Sequence, residues 1–200
     1  TVVATNPLTG CSNSMNSSAS IIIKALPTDY PVSLGGDYCD CGVGIDVNIT
    51  GSDDNVEYQL YRGVTAVGTP VVGGGVSISF GLQTAGGNYT VVASDPTTGC
   101  SKKMNSSANV VINPLPTVFT VLGGGSYCEG GAGSRVYLSV STLGIEYQLY
   151  NGATLMGTAM GTGSSVDFGY QTAAGTYNVV ANNLTTSCSN NMAGSATISI

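Results

Sequence analysis

Histidine and tryptophan are absent from the 200 residues, and Lys and Arg together number only five. Without histidine the commonest general base is gone, and with it the usual Ser-His-Asp and Cys-His arrangements. The five cations (Lys24, Arg62, Lys102, Lys103, Arg135) face eleven acids, for a net charge of −6. No surface can then neutralise a phosphate backbone, which argues against nucleic acid as a partner. Charged residues make up 8% of the chain, against about 25% in ordinary globular proteins. Solubility must rest on Ser, Thr, Asn and backbone amides. No apolar run approaches the ~20 residues of a membrane-spanning helix, no signal peptide is visible, and no stretch carries helical periodicity.

What the chain has is repetition. Glu57-Tyr58-Gln59-Leu60-Tyr61 returns unchanged as Glu146-Tyr147-Gln148-Leu149-Tyr150. Tyr89-Thr90-Val91-Val92-Ala93 returns as Tyr177-Asn178-Val179-Val180-Ala181, and its tail already stands at Thr1-Val2-Val3-Ala4. The period is 88 to 89 residues, so 200 residues hold two units and the end of a third. Units of this kind are expected at residues 28–116 and 117–200, with 1–27 as the C-terminal hairpin of a preceding one. Asn113-Pro114-Leu115-Pro116 and Lys24-Ala25-Leu26-Pro27 mark the boundaries; paired prolines make a stiff, extended connector. A 42% hydrophobic content in β-branched clusters is enough to build cores and opposes disorder.

The strand signals are short alternating runs bounded by Gly, Asn, Asp and Pro. In the second unit they fall near Val118–Leu122, Arg135–Ser141, Ile145–Tyr150, Ser165–Tyr170, Thr176–Asn182 and Ser195–Ile200, with a weaker one near Ala153–Met156. The counterparts in the first unit begin near Tyr30, Ile45, Val56, Val76, Asn88 and Ala108. Seven short strands per unit and no helix predict an all-β fold, two β-sandwiches in tandem. Alternation turns Val136, Leu138 and Val140 inward, together with Tyr147 and Leu149, Val166 and Phe168, and Tyr177, Val179 and Ala181. Tyr89 and Tyr177 stand where a tyrosine corner would, each hydroxyl bonded back to the preceding loop. Asn6–Gly10 and Asp95–Gly99 have hairpin-loop chemistry; the third copy, Asn183–Ser187, lacks both Pro and Gly and is expected to be looser.

Two composite motifs carry a resemblance. The first is Tyr127-Cys128-Glu129-Gly130 followed by Val136-Tyr137-Leu138. The second is the run from Gly175 to Ala181 followed by Thr185-Thr186-Ser187-Cys188. Together they resemble the immunoglobulin-like repeats of very large secreted cell-surface proteins of Bacteroidota, typically exported by the type IX pathway, some of them filamentous adhesins. The resemblance covers essentially the whole chain. It implies a surface location and a stalk or adhesive-fibre role. The partners it implies are neighbouring repeats of the same chain, with lateral association into fibres as a further reading. Unlike antibody domains, neither unit has a core Trp or cysteines at strand centres.

The six cysteines suggest an oxidising compartment. Zinc is disfavoured, since Cys39-Asp40-Cys41 is the one close pair and no spacing fits the usual ligand patterns. Two connectivities remain open. One bridge per unit would join Cys39 to Cys100 and Cys128 to Cys188. In an immunoglobulin-like topology, however, Cys39 and Cys128 lie near the end where the chain leaves a unit, and Cys100 and Cys188 near the end where it enters. Strands of six to eight residues separate those ends by roughly 20–26 Å, while a disulfide needs Cα atoms within about 7 Å. The preferred expectation is an inter-domain staple, Cys39–Cys188, with Cys11 and Cys100 reaching toward preceding units and Cys128 toward a following one. Cys41 has no counterpart, because Gly130 takes its place.

Other candidate sites have plainer readings. No metal, cofactor or catalytic residue is expected: the acids are scattered at turns, and Glu57 and Glu146 repeat in an outward position. Gly51-Ser52-Asp53-Asp54-Asn55 lacks the spacing of a calcium loop. Gly73–Gly75 and Gly123–Gly125 are not phosphate loops and read as bulges or kinks. Of Tyr58, Tyr61, Tyr147 and Tyr150, at most one of each neighbouring pair faces outward, a weak basis for the alternative of a carbohydrate- or surface-binding module. Met15, Met104 and Met192 read as core or junction plugs. The sequons at Asn16, Asn48, Asn88, Asn105 and Asn183 follow from Ser/Thr/Asn richness.

Overall fold

The computed structural model describes residues 1–200 and contains only strands, turns and loops. A short hairpin, β1 (Val3–Thr5) and β2 (Ser12–Ser14), comes first. The next eight strands are β3 (Gly35–Cys39), β4 (Ile45–Ile49), β5 (Glu57–Arg62), β6 (Thr65–Val72), β7 (Ile78–Gln83), β8 (Gly87–Ser94), β9 (Ser101–Lys103) and β10 (Ala108–Asn113). One sheet runs β3-β10-β8-β5-β6, with β9 on β8, and faces the β4-β7 pair. The remaining strands are β11 (Val121–Gly123), β12 (Gly125–Ser126), β13 (Ser134–Leu138), β14 (Ile145–Asn151), β15 (Thr154–Met160), β16 (Val166–Gln171), β17 (Gly175–Asn183), β18 (Ser189–Asn191) and β19 (Ala196–Ser199). They repeat the plan as β12-β19-β17-β14-β15, with β18 on β17, against β11-β13-β16. These are two immunoglobulin-like β-sandwiches.

Each sandwich closes over its own core of thirteen buried residues. Tyr58, Leu60, Tyr89, Val91 and Ala93 in the first match Tyr147, Leu149, Tyr177, Val179 and Ala181 in the second. Burying each large side chain contributes roughly 1.5–3 kcal/mol before conformational entropy is set against it. Two of the buried tyrosines per sandwich keep their hydroxyls satisfied, which lets an aromatic serve as core. Tyr89 Oη donates to Ala85 O at 2.6 Å and Tyr177 Oη to Ala173 O at 2.8 Å. Tyr58 Oη accepts the Asp53 N–H at 2.8 Å, and Tyr147 Oη the Thr142 N–H at 2.9 Å.

The first strand of each sandwich changes sheets, and glycine makes the change possible. Gly123, Gly124 and Gly125 all take positive φ, at 101°, 81° and 124°. They carry the chain from an antiparallel pairing with β13 to a parallel pairing with β19. A Cβ on Gly124 would overlap the Thr197 carbonyl, and one on its counterpart Gly35 the Asn109 carbonyl. Gly123–Gly125 is thus a sheet crossover rather than a simple bulge.

Three expectations need correction. Val140 is 43% exposed, because β13 ends at Leu138 and the turn that follows buries Ser141 instead. The Ser141 hydroxyl donates to Ser164 O at 2.6 Å and accepts from Thr162 N at 2.9 Å, so a local hydrogen-bond network overrides alternation. The run near Ala153–Met156 is a full edge strand of seven residues. The third hairpin loop is no looser: Asn183 N to Cys188 O and Ser187 N to Asn183 O are both 2.8 Å, matching Asp95 N to Cys100 O at 2.9 Å and Gly99 N to Asp95 O at 2.8 Å. Ser187 adopts the left-handed φ of 59° that glycine takes in the other copies.

Candidate functional site

The feature that most distinguishes this molecule lies where the two sandwiches meet. Strand β3 pairs in parallel with the last strand of its own sandwich, β10, so that Cys39 stands opposite Asn113. The first and last strands therefore finish at the same end, the end from which the chain departs. The Asp40 N–H donates to Asn113 O at 2.8 Å and locks that register. Cys39 then opens a tight turn closed by Gly42 N to Cys39 O at 2.9 Å, with Cys41 at its third position and φ of 66°. Cys128-Glu129-Gly130-Gly131 repeats the turn, with Gly131 N to Cys128 O at 2.9 Å and Gly130 at φ 79°.

From Asn113 the chain passes through Pro114-Leu115-Pro116 into the second sandwich. Pro114 is exposed and Pro116 buried, and each proline removes backbone freedom from the connector. Asn190 Nδ2 donates to Pro116 O at 2.9 Å, tying the end of the connector to β18. The loop between β17 and β18 then sets Cys188 beside Asn113, its Sγ 3.9 Å from that carbonyl oxygen. Cys39 and Cys188 are bonded, with Cα atoms 5.5 Å apart and 149 positions between them in sequence. Cys188 is fully buried. The alternative pairings, Cys39–Cys100 and Cys128–Cys188, do not occur: in each sandwich the two cysteines sit at opposite ends of the strands.

The junction ahead of the first sandwich repeats part of this geometry. Lys24 and Asn113 hold equivalent positions in the repeat, as do Thr98 and Thr186. Lys24 Nζ donates to Thr98 O at 2.8 Å, in the same loop position that Cys188 and Thr186 occupy beside Asn113. Pro27, the counterpart of Pro116, is likewise buried. The thiols of Cys11, Cys41 and Cys128 are exposed and that of Cys100 partly so.

Polar groups around the connectors act as structural caps. Asp53 accepts from Thr28 N at 2.7 Å and from Tyr30 Oη at 2.9 Å, so residues 51–55 form a polar turn holding the start of the sandwich. The Thr28 N–H keeps the Asp53 carboxyl below the usual range, and Asp53 in turn raises the Tyr30 hydroxyl. Asp95 is lowered chiefly by the Thr98 hydroxyl inside its loop. Met104 and Met192 plug the strand ends, each sulfur accepting a backbone N–H at 3.3 Å, from Tyr30 and Phe119 respectively. Met15 is 41% exposed and plugs nothing here. Asn113 reads from sequence only as the start of the connector and Asn190 carries no sequence signal; their pairing with Cys39 and with Pro116 is visible only once the register is known.

No family model matches the chain, and no curated protein sequence does. Solved structures to which the chain is similar include the human OSCAR ligand-binding domain, at 12% identity over 87% of this chain and 100% of that one, TM-score 0.37. Others are the fibronectin(III)-like modules of Clostridium thermocellum CbhA (12%, 86% and 93%, TM-score 0.42) and the titin domains z1z2 in complex with telethonin (12%, 90% and 98%, TM-score 0.37). Likenesses this distant carry no functional argument; the sandwich assignment rests on strand order and cores.

Proposed function

We propose that this chain is a structural repeat segment of a long extracellular surface fibre or stalk, supporting adhesion and stiffened by disulfides across its junctions. The observation that carries the reading is the Cys39–Cys188 bond, which ties two separate cores to each other. The bond closes no loop within either sandwich alone; it joins one to the other and restricts bending at a proline-rich connector. Such a bond forms and persists in oxidising compartments, outside the cell above all. Partners are then neighbouring repeats. By the separation of 149 positions, Cys11 and Cys100 pair with units before this segment and Cys128 with one after it.

Negative-stain microscopy of the native material tests the fibre reading, and peptide mapping without reduction tests the bonding rule. Long uniform filaments, with Cys100 and Cys128 each linked to a cysteine outside residues 1–200, are expected. Compact particles, or a peptide joining Cys39 to Cys100, would overturn the reading. A second reading, a carbohydrate- or surface-binding module, is favoured by one feature: an open groove of about 470 Å³ lined by Tyr150, Asn178, Asn191 and Met192. Glycan-array binding by the two-sandwich chain would bring it forward.

A further inference from the structure

The turn that begins at Cys39 holds a third sulfur. Cys41 lies two residues from the bonded Cys39, is exposed, and stands at φ 66°. That conformation disfavours any side chain, and the equivalent turn fills the position with Gly130 at φ 79°. The turn that carries it also carries an electrophile, the disulfide at Cys39. We propose that Cys41 is an internal nucleophile for the junction disulfide and gives this one junction its own means of release.

The step needs no outside oxidant or reductant. The Cys41 thiolate donates its electron pair to Cys39 Sγ, a Cys41–Cys39 bond forms, the Cys39–Cys188 bond breaks, and its electron pair leaves on Cys188 Sγ as thiolate. One disulfide is consumed and one is made. Attack falls on Cys39 because its residue is partly exposed, while Cys188 is fully buried. The turn keeps the two cysteines close: its closing bond, Gly42 N to Cys39 O, is 2.9 Å, and as its first and third residues they are two peptide units apart, with Cα atoms no more than about 7.6 Å from each other. The turn at Cys128 has no second sulfur and would lack this reaction. The inference rests on the Cys39–Cys188 bond and not on the fibre reading, so either can fail alone.

The test uses the oxidised 200-residue chain with no added thiol. Samples are held at pH 8.5, quenched in acid, labelled with a maleimide at pH 6.5 and mapped without reduction. In wild type, a peptide with a Cys39–Cys41 ring should accompany label on Cys188, at a level independent of protein concentration. Cys41→Ser should lower that label at least tenfold while leaving the Cys39–Cys188 peptide intact. Four results would overturn the proposal: no label on Cys188 in wild type, equal label in Cys41→Ser, dependence on concentration, or a Cys41–Cys188 peptide in place of the ring. Mapping of a sample kept acid throughout reports the starting bond separately.

Discussion

Replacing Cys39 and Cys188 together by alanine removes the junction bond without leaving an orphan thiol. Its effect can be worked from the positions of its ends. When one sandwich unfolds and the other stays folded, Asn113 remains anchored beside the bond, 75 positions before Cys188 and paired in register with Cys39. Each unfolded sandwich is then a closed loop of about 75 residues. For that length the chain-entropy model gives about 4–5 kcal/mol of stabilisation per sandwich at 25 °C. In a domain of this size 1 kcal/mol moves Tm by about 4–8 °C, so the upper limit is a fall of roughly 16–40 °C. Measured bonds often deliver less than the model, and a fall of at least about 8 °C is the working expectation. Differential scanning calorimetry under non-reducing conditions reads it, with Cys128→Ala as a control that should not move. Because the loops on either side are nearly equal, both sandwiches should lose stability. A shift under about 2 °C, or one confined to a single transition, would refute the reasoning.

Other outcomes follow from the same coordinates. Gly35→Ala should destabilise the first sandwich by about 2–4 kcal/mol by thermal or urea denaturation, since the new Cβ overlaps the Asn109 carbonyl at φ 83°; Gly10→Ala, with nothing near it, should cost only about 1–2 kcal/mol of its local hairpin. Tyr177→Phe deletes the 2.8 Å bond to Ala173 O in a fully buried corner and should cost about 1–3 kcal/mol, read from the urea midpoint. The carboxyls of Asp53 and Asp95 have folded pKa values below their unfolded ones, so their stabilisation is present above about pH 4 and is lost as pH falls further, through the folded values. Asp53→Asn should flatten that acid limb in Tm measured against pH; an unchanged limb would remove Asp53 from the account.

Much of the sandwich can be read from the sequence because its strands are amphipathic with period two. Tyr147, Leu149, Tyr177, Val179 and Ala181 show their side in the alternation alone, and Tyr89 and Tyr177 show their role by following a Gly-x pair into a long strand. Alternation fails at Val140, where a strand ends and a buried serine network takes over. Turn chemistry misleads at Asn183–Ser187, where two backbone and three side-chain hydrogen bonds outweigh the missing glycine. The sheet crossover at Gly123–Gly125 is written as three glycines, but where the strand goes next depends on Thr197, far along the sequence. Cys41 stands out in the sequence as a cysteine where the repeat has Gly130; the turn geometry that lets it approach Cys39 does not.

The position of the disulfide also decides which parts of the chain can bear load. If the two termini are drawn apart, tension runs along the backbone from residue 1 to Cys39, crosses the two sulfurs to Cys188, and continues to residue 200. Residues 40–187 lie within the closed loop and carry no pull, so load falls on the strands outside it: β3 in the first sandwich, and β18 and β19 in the second. At about 3.4 Å per extended residue, the bond shields some 500 Å of chain that could be drawn out only after it broke and both sandwiches unfolded.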